Sequence, residues 1–241
     1  MSAAPVSLPS RYAERPSTVP GAVRWRATGT GGAALILPDG CMDVIVVDGA
    51  PIVAGPDAVA ARVSGSDGAR LDGVRFPPGM LPQLLGIGAD ELTGRRVPLA
   101  EVLPHRRRTA GDDPEAIAAA LLDGVDLDRR ITGIVARLGA GRAIGAVAAE
   151  AELGERALHR LARRSFGYGP KTLARILRFQ RAAARIGAGE NLAAVAASAG
   201  YADQAHLTRE VRALTGTTPG ELRRPISGTD PGAARRAARR R

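Results

Sequence analysis

The chain has 241 residues, 45% of them hydrophobic and 24% charged, with 34 basic side chains, 24 acidic ones and a single cysteine. That length suits one or two domains with buried cores, and one cysteine excludes both an intrachain disulfide and a Cys-rich zinc site. Charge is uneven: residues 1–110 hold 12 bases and 10 acids, 111–128 hold six acids and no base, and 129–241 hold 22 bases against eight acids. A strongly basic half of this kind is the footprint of a polyanion partner. No apolar run reaches the length of a membrane span, and Met1–Pro5 lacks a basic segment followed by an apolar core. A cytoplasmic chain with no signal peptide and no membrane contact is therefore expected.

In chain order, residues 1–19 are proline-rich and predict an extended arm. Residues 20–103 predict a small, mostly β domain with a regulatory or sensor role. Its strand signals are Ala33–Leu37, Met42–Val47, Pro51–Ala54 and Ala69–Phe76. Asp48-Gly49 between two β-branched runs is a hairpin signal, because both turn positions favour positive φ. Leu81–Leu85 and Leu99–Leu103 predict short helices. Residues 104–129 form a connector in which Asp113 caps a helix over Pro114–Leu122. Ile131, Ile134, Val135 and Leu138 recur at helical spacing over Asp128–Leu138. Pro170 opens a long helix to about Ile186, Thr218-Pro-Gly-Glu221 is a capping box for a last helix to Arg224, and residues 226–241 predict a basic, disordered tail.

The informative feature of the basic half is a motif written twice. Ile144/Leu192, Val147/Val195 and Ala148/Ala196 align at an offset of 48; Leu158/Leu207, Arg160/Arg209, Gly167/Gly216 and Pro170/Pro219 align at 49. One extra residue in the second turn accounts for the change. Each copy predicts a helix-turn-helix, so the fold class is α+β: a mostly β domain, then an all-α tandem helix-turn-helix domain over residues 130–225.

The run Gly200-Tyr-Ala-Asp-Gln-Ala-His-Leu-Thr-Arg-Glu-Val-Arg-Ala-Leu-Thr-Gly-Thr-Thr-Pro219, with Leu222-Arg223 after it, resembles the signature of AraC/XylS-type transcriptional regulators. The first copy and Pro170–Phe179 fit the same module. Where that family usually has phenylalanine this chain has Ala162, Leu207 and Val211, which lightens the core of both motifs. Leu37–Val44, Ala54-Gly-Pro56 and Gly73–Gly79 are similar to an uncharacterised domain often found before the module. The resemblance implies a sequence-specific regulator bound to double-stranded DNA, with RNA polymerase and a small-molecule effector as further candidate partners.

A helix fits the major groove, where Arg bonds guanine bidentately and Gln bonds adenine. The resemblance places Arg156, His159 and Arg160, then Gln204, Thr208 and Arg209, at groove-entering positions; Arg163 and Arg212 extend the same two faces. Arg160 and Arg209 have an alternative reading as structural ion-pair partners. His206 is expected to pack at a helix edge. Two motifs on one chain would span adjacent groove segments about one helical turn, roughly 34 Å, apart.

No cofactor, metal or catalytic residue is expected. A cupin-like metal enzyme needs several His and carboxylate ligands, and His105 is the only histidine in the first 110 residues. Cys41 reads as a small, half-buried side chain rather than a redox sensor. Asp39, Asp43 and Arg75 read as a turn residue and surface ion pairs, with a polar pocket as the alternative. The rival functions are a nonspecific, nucleoid-type DNA binder and an enzyme carrying a DNA-binding module.

Overall fold

The computed structural model describes residues 11–29, 33–64, 66–103 and 111–223. His105, Arg224, the basic tail and the first ten residues of the expected arm lie outside the described residues. One antiparallel sheet runs in the order β1 (Arg11–Pro16), β2 (Val23–Thr28), β7 (Arg70–Phe76), β4 (Met42–Val47), β5 (Ala50–Ala54) and β8 (Arg96–Pro98). A separate two-stranded ribbon pairs β3 (Ala33–Ile36) with β6 (Ala61–Ser64). The β4–β5 hairpin closes through Asp48 and Gly49 at φ 49° and 81°, as the Asp-Gly signal requires.

Along β4 the side chains alternate, with Met42, Val44 and Val46 buried. They meet Val74 and Phe76 of β7 and are covered by α1 (Met80–Leu85) and α3 (Pro114–Leu122), whose Leu81, Leu84, Ile117 and Leu121 complete the core. After β8 comes the short α2 (Leu99–Val102). Two differences from the sequence reading stand out. Residues 11–16, expected in the arm, are an edge strand in register with β2, and Pro16 at its end costs no interior ladder bond. The connector helix α3 is not a free bridge, because its apolar face belongs to the β-domain core.

The helical half comprises α4 (Arg129–Gly139), α5 (Ile144–Glu150), α6 (Glu155–Phe166), α7 (Pro170–Gly187), α8 (Leu192–Ala199), α9 (Gln204–Thr215) and α10 (Pro219–Leu222). Starts are set by side chains accepting from free backbone N–H groups: Asp128 for α4, Asn191 for α8, Asp203 for α9 and Thr218 for α10. The repeat is larger than its helix-turn-helix part. Ile131/Phe179, Ile134/Ala182 and Leu138/Ile186 are buried pairs at the same offset of 48, and Gly141 and Gly189 share positive φ of 79° and 82°. Each unit is thus three helices, α4–α6 and α7–α9, with its own core.

The units differ in their turns. Position 152 in the first and 200 in the second both adopt the left-handed conformation, at φ 56° and 80°, but the first is occupied by glutamate. A left-handed L-residue is strained by roughly 1–2 kcal/mol. Glu152→Gly should therefore raise the denaturant midpoint, by about 0.5–1 kcal/mol in stability once the unfolded chain's added entropy is counted. An unchanged or lower midpoint would contradict this.

The β domain and the helical half are packed together. Leu35 and Leu37 enter the core of the second unit beside Phe179, Leu207 and Val211, all three fully buried. Gly79 sits so close to the first unit that a Cβ there would lie 2.5 Å from Ile131 Cγ2 and 2.8 Å from Phe166 Cε1.

Candidate DNA-binding interface

In α6, Leu158, Ala162, Ser165 and Phe166 are buried and Leu161 partly so. Helical spacing then turns Arg156, His159, Arg160 and Arg163 outward, and all four are exposed. In α9, Leu207, Val211 and Leu214 point inward. Gln204, Arg209 and Arg212 are exposed and Thr208 is half-buried, its hydroxyl donating to Gln204 O at 2.9 Å. Through the offset of 49, His159 corresponds to Thr208, Arg160 to Arg209 and Arg163 to Arg212, so the two stripes occupy equivalent faces of equivalent helices.

Among the described residues, Arg156, Arg160, Arg209 and Arg212 have no ion-pair partner. The structural ion-pair reading of Arg160 and Arg209 therefore has no geometry behind it. Arg163 stands 3.9 Å from Asp90 of the β domain. His159 lies over the backbone of Gly169, where a Cβ would come 2.8 Å from Nε2. His206 meets Tyr201 edge-on at 5.3 Å, and its Nδ1 accepts from Ala202 N, as expected of a residue packing at the helix edge.

The arginines of α7 are staples. Arg175 forms a fork with Glu210 of α9 at 2.7 and 3.2 Å. Arg178 lies 3.7 Å from the same carboxylate and 4.6 Å from the centre of the Tyr201 ring. Arg181 donates to Gly139 O at the end of α4, and Arg185 binds Glu190 at 2.6 Å. Burial raises the Glu210 carboxyl, but the hydrogen bonds and charge of Arg175, with Arg178 behind it, hold it below its ordinary range. No local signal foretells a pair 35 residues apart; only the fold brings it together.

Asp39, Asp43 and Arg75 form a largely buried cluster in the β domain rather than a surface ion pair. Arg75 Nε is 3.5 Å from both carboxylates and Nη1 3.3 Å from Glu14. Asp39 also accepts from Cys41 N, the turn bond expected of it. Burial, reinforced by Asp39, pushes the Cys41 thiol well up, which disfavours the thiolate needed for redox chemistry. Burial, offset by Arg75, pushes Asp43 up to about 6 from an ordinary 3.8. A raised carboxyl pKa means the folded state takes up a proton before the unfolded chain does. Stability from this group thus grows as pH falls through 6 towards 4 and is absent above 6. Asp43→Asn, which keeps an acceptor for Trp25 Nε1, should remove a gain of about 1 kcal/mol between pH 7 and pH 5. Parallel pH profiles of the two proteins would contradict the assignment.

Residues 147–225 match the family described as Helix-turn-helix domain, and residues 22–98 match the Domain of unknown function (DUF6597). The chain carries a helix-turn-helix domain in its basic half. Solved structures similar to it include a probable AraC family transcriptional regulator from Rhodopseudomonas palustris CGA009, at 23% identity and TM-score 0.36, covering 40% of this chain and 95% of that one. ToxT from Vibrio cholerae is also similar, at 12% identity and TM-score 0.47, covering 86% of this chain and 98% of that one. A third is ToxT with bound unsaturated fatty acid, at 11% identity and TM-score 0.45, covering 86% and 96%. No curated protein matches. The matched helix-turn-helix domain contains both α6 and α9 and supports a DNA-binding transcription regulator. No helix among the described residues is long and apolar enough to cross a membrane.

Proposed function

We propose that the chain is a sequence-specific regulator, acting in the cytoplasm, that reads two adjacent major-groove segments of double-stranded DNA with α6 and α9. The observation that carries this reading is the pair of equivalent stripes, His159/Arg160/Arg163 and Thr208/Arg209/Arg212, with Arg156 beside the first and Gln204 beside the second. Their arginines are outward-facing and, apart from Arg163 beside Asp90, have no ion-pair partner among the described residues. Unpaired arginines on a helix that inserts its polar face into the groove bond guanine edges or phosphates. The β domain, packed on both units, is the element through which an effector would act, and RNA polymerase is the machinery such a regulator would address.

Enrichment of binding sites from random DNA, with excess competitor, tests the reading. It expects a defined site with two half-sites about one turn apart. Sequence-independent retention with steep salt dependence would instead favour a nucleoid-type binder. That test is best run with residues 228–241 removed as a parallel arm, because the tail alone supplies nonspecific affinity.

The two stripes differ in charge, and the difference predicts a division of labour. Three arginines and a histidine give α6 more of the phosphate affinity; Gln204 and Thr208 give α9 proportionately more polar base contacts. Arg156→Ala should flatten the salt slope by about 0.9, one counterion's share, whereas Gln204→Ala leaves it unchanged while weakening the preferred site. Equal slopes in the two variants would refute the division.

A further inference from the structure

The last four carbonyls of an α-helix have no partner within the helix. At the end of α9, Leu214 O accepts from the backbone N–H of Ala60 at 2.7 Å. At the end of α6, the carbonyl of the C-cap residue Gly167 accepts from Thr93 Oγ1 at 3.2 Å, sharing that hydroxyl's one proton with Ala89 O at 3.1 Å. Both donors come from the β domain: Ala60 precedes β6, and Thr93 follows the 3₁₀ turn Ala89–Glu91. The contacts around them are tight. A Cβ on Gly167 would lie 2.4 Å from Thr93 Oγ1 and 2.8 Å from Pro56 Cγ. On α7, which lies between α6 and α9 in the chain, Gln180 donates to Pro38 O at 2.6 Å. One body therefore grips the same end of both recognition helices and the helix that joins their units.

We infer that the β domain is a brace that fixes the distance and rotation between the two recognition helices. Thr93, Ala60 and Gln180 are then positioning residues that set which half-site spacing the protein accepts. This rests on the reading that both helices enter the groove. The physical reason is simple. The units are joined through α7, whose Leu173 and Ile176 lie in the first core and Phe179, Ala182 and Ile186 in the second, so without the β domain they twist only as far as those contacts yield. Adding one base pair between half-sites turns one of them by about 35° and shifts it by about 3.4 Å. A pair braced at both helix ends resists that change more than a pair held through α7 alone. Anything that lifts the β domain, an effector included, would change spacing selectivity before it changed the contacts to bases.

The test uses the full chain and the sites it enriches, rebuilt with one base pair inserted or deleted between half-sites. Wild type is expected to lose about tenfold or more on each altered site. Thr93→Val/Gln180→Ala should lose affinity for the native spacing but bind all three spacings within about threefold. Ala60→Pro, which removes the N–H given to α9, serves as an independent second variant. A separate readout needs no DNA: spin labels at the exposed positions Arg164→Cys and Ala213→Cys, in a Cys41→Ala background, report the distance between α6 and α9. That distance distribution should be narrow in the otherwise unaltered chain and broaden in both variants. A parallel loss at every spacing with an unbroadened distribution would overturn the brace, as would a flat spacing profile in wild type. If wild type enriches no site, the proposed function falls instead, and the distance measurement still decides the brace.

Discussion

Alanine at both Arg160 and Arg209 is expected to abolish site-specific binding while leaving the fold intact. The two side chains hold equivalent places on α6 and α9, are exposed, and have no ion-pair partner among the described residues. Removing them therefore breaks nothing inside the protein. Each bidentate arginine–guanine pair is worth about 1–3 kcal/mol of discrimination, so the double variant should bind its site at least about a hundredfold more weakly. Residual binding should be largely sequence-independent, because Arg156, Arg163 and Arg212 still meet phosphate and only Gln204 and Thr208 are left to read base edges. Anisotropy titrations on the enriched site and a scrambled one check this. A double variant that retains its preference would show that specificity lies elsewhere.

A second large effect comes from two glycines that the repeat makes equivalent. Gly167 and Gly216 end α6 and α9 at φ 84° and 69°, where any other residue costs roughly 1–2 kcal/mol. Beyond that shared cost their surroundings differ. A Cβ on Gly216 meets nothing within 4 Å, whereas one on Gly167 would collide with Thr93 and Pro56 and press on Ala89 O at 3.2 Å. Gly216→Ala should therefore cost about 1 kcal/mol, and Gly167→Ala about 3 kcal/mol or more unless the β domain moves away. Denaturant titration distinguishes the two. Equal losses would mean that α6 does not dock against the β domain as described.

How much of this was legible in the chain depends on the range of the contacts involved. The Asp48-Gly49 hairpin, the caps at Asp113, Asp203 and Thr218, and the inward faces of α6 and α9 rest on local chemistry, which adjacent residues spell out. The duplicated motif was legible for the same reason. Its extension into α4 and α7 was obscured because Ile131 pairs with Phe179 and Ile134 with Ala182, a match in burial but not in size. Strands β6 and β8 are short, and β6 is mostly exposed, so neither carries a readable alternation. The Arg175–Glu210 fork, the grip of Thr93 on Gly167 and the entry of Leu35 and Leu37 into the second unit join distant segments, which no spacing announces. The lightened core at Ala162, Leu207 and Val211 was visible in the sequence. That the β domain adds Leu35 and Leu37 to the second unit's core emerges only from the packing.

The central claim is that α6 and α9 each read one segment of major groove. Methylation interference on the enriched site tests it most directly, since methylating guanine N7 blocks an arginine's bidentate contact there. The account predicts two clusters of interfering guanines about 10 base pairs apart, with Arg160→Ala relieving interference in one cluster only and Arg209→Ala in the other. A single cluster, or two clusters that neither substitution changes, would contradict it.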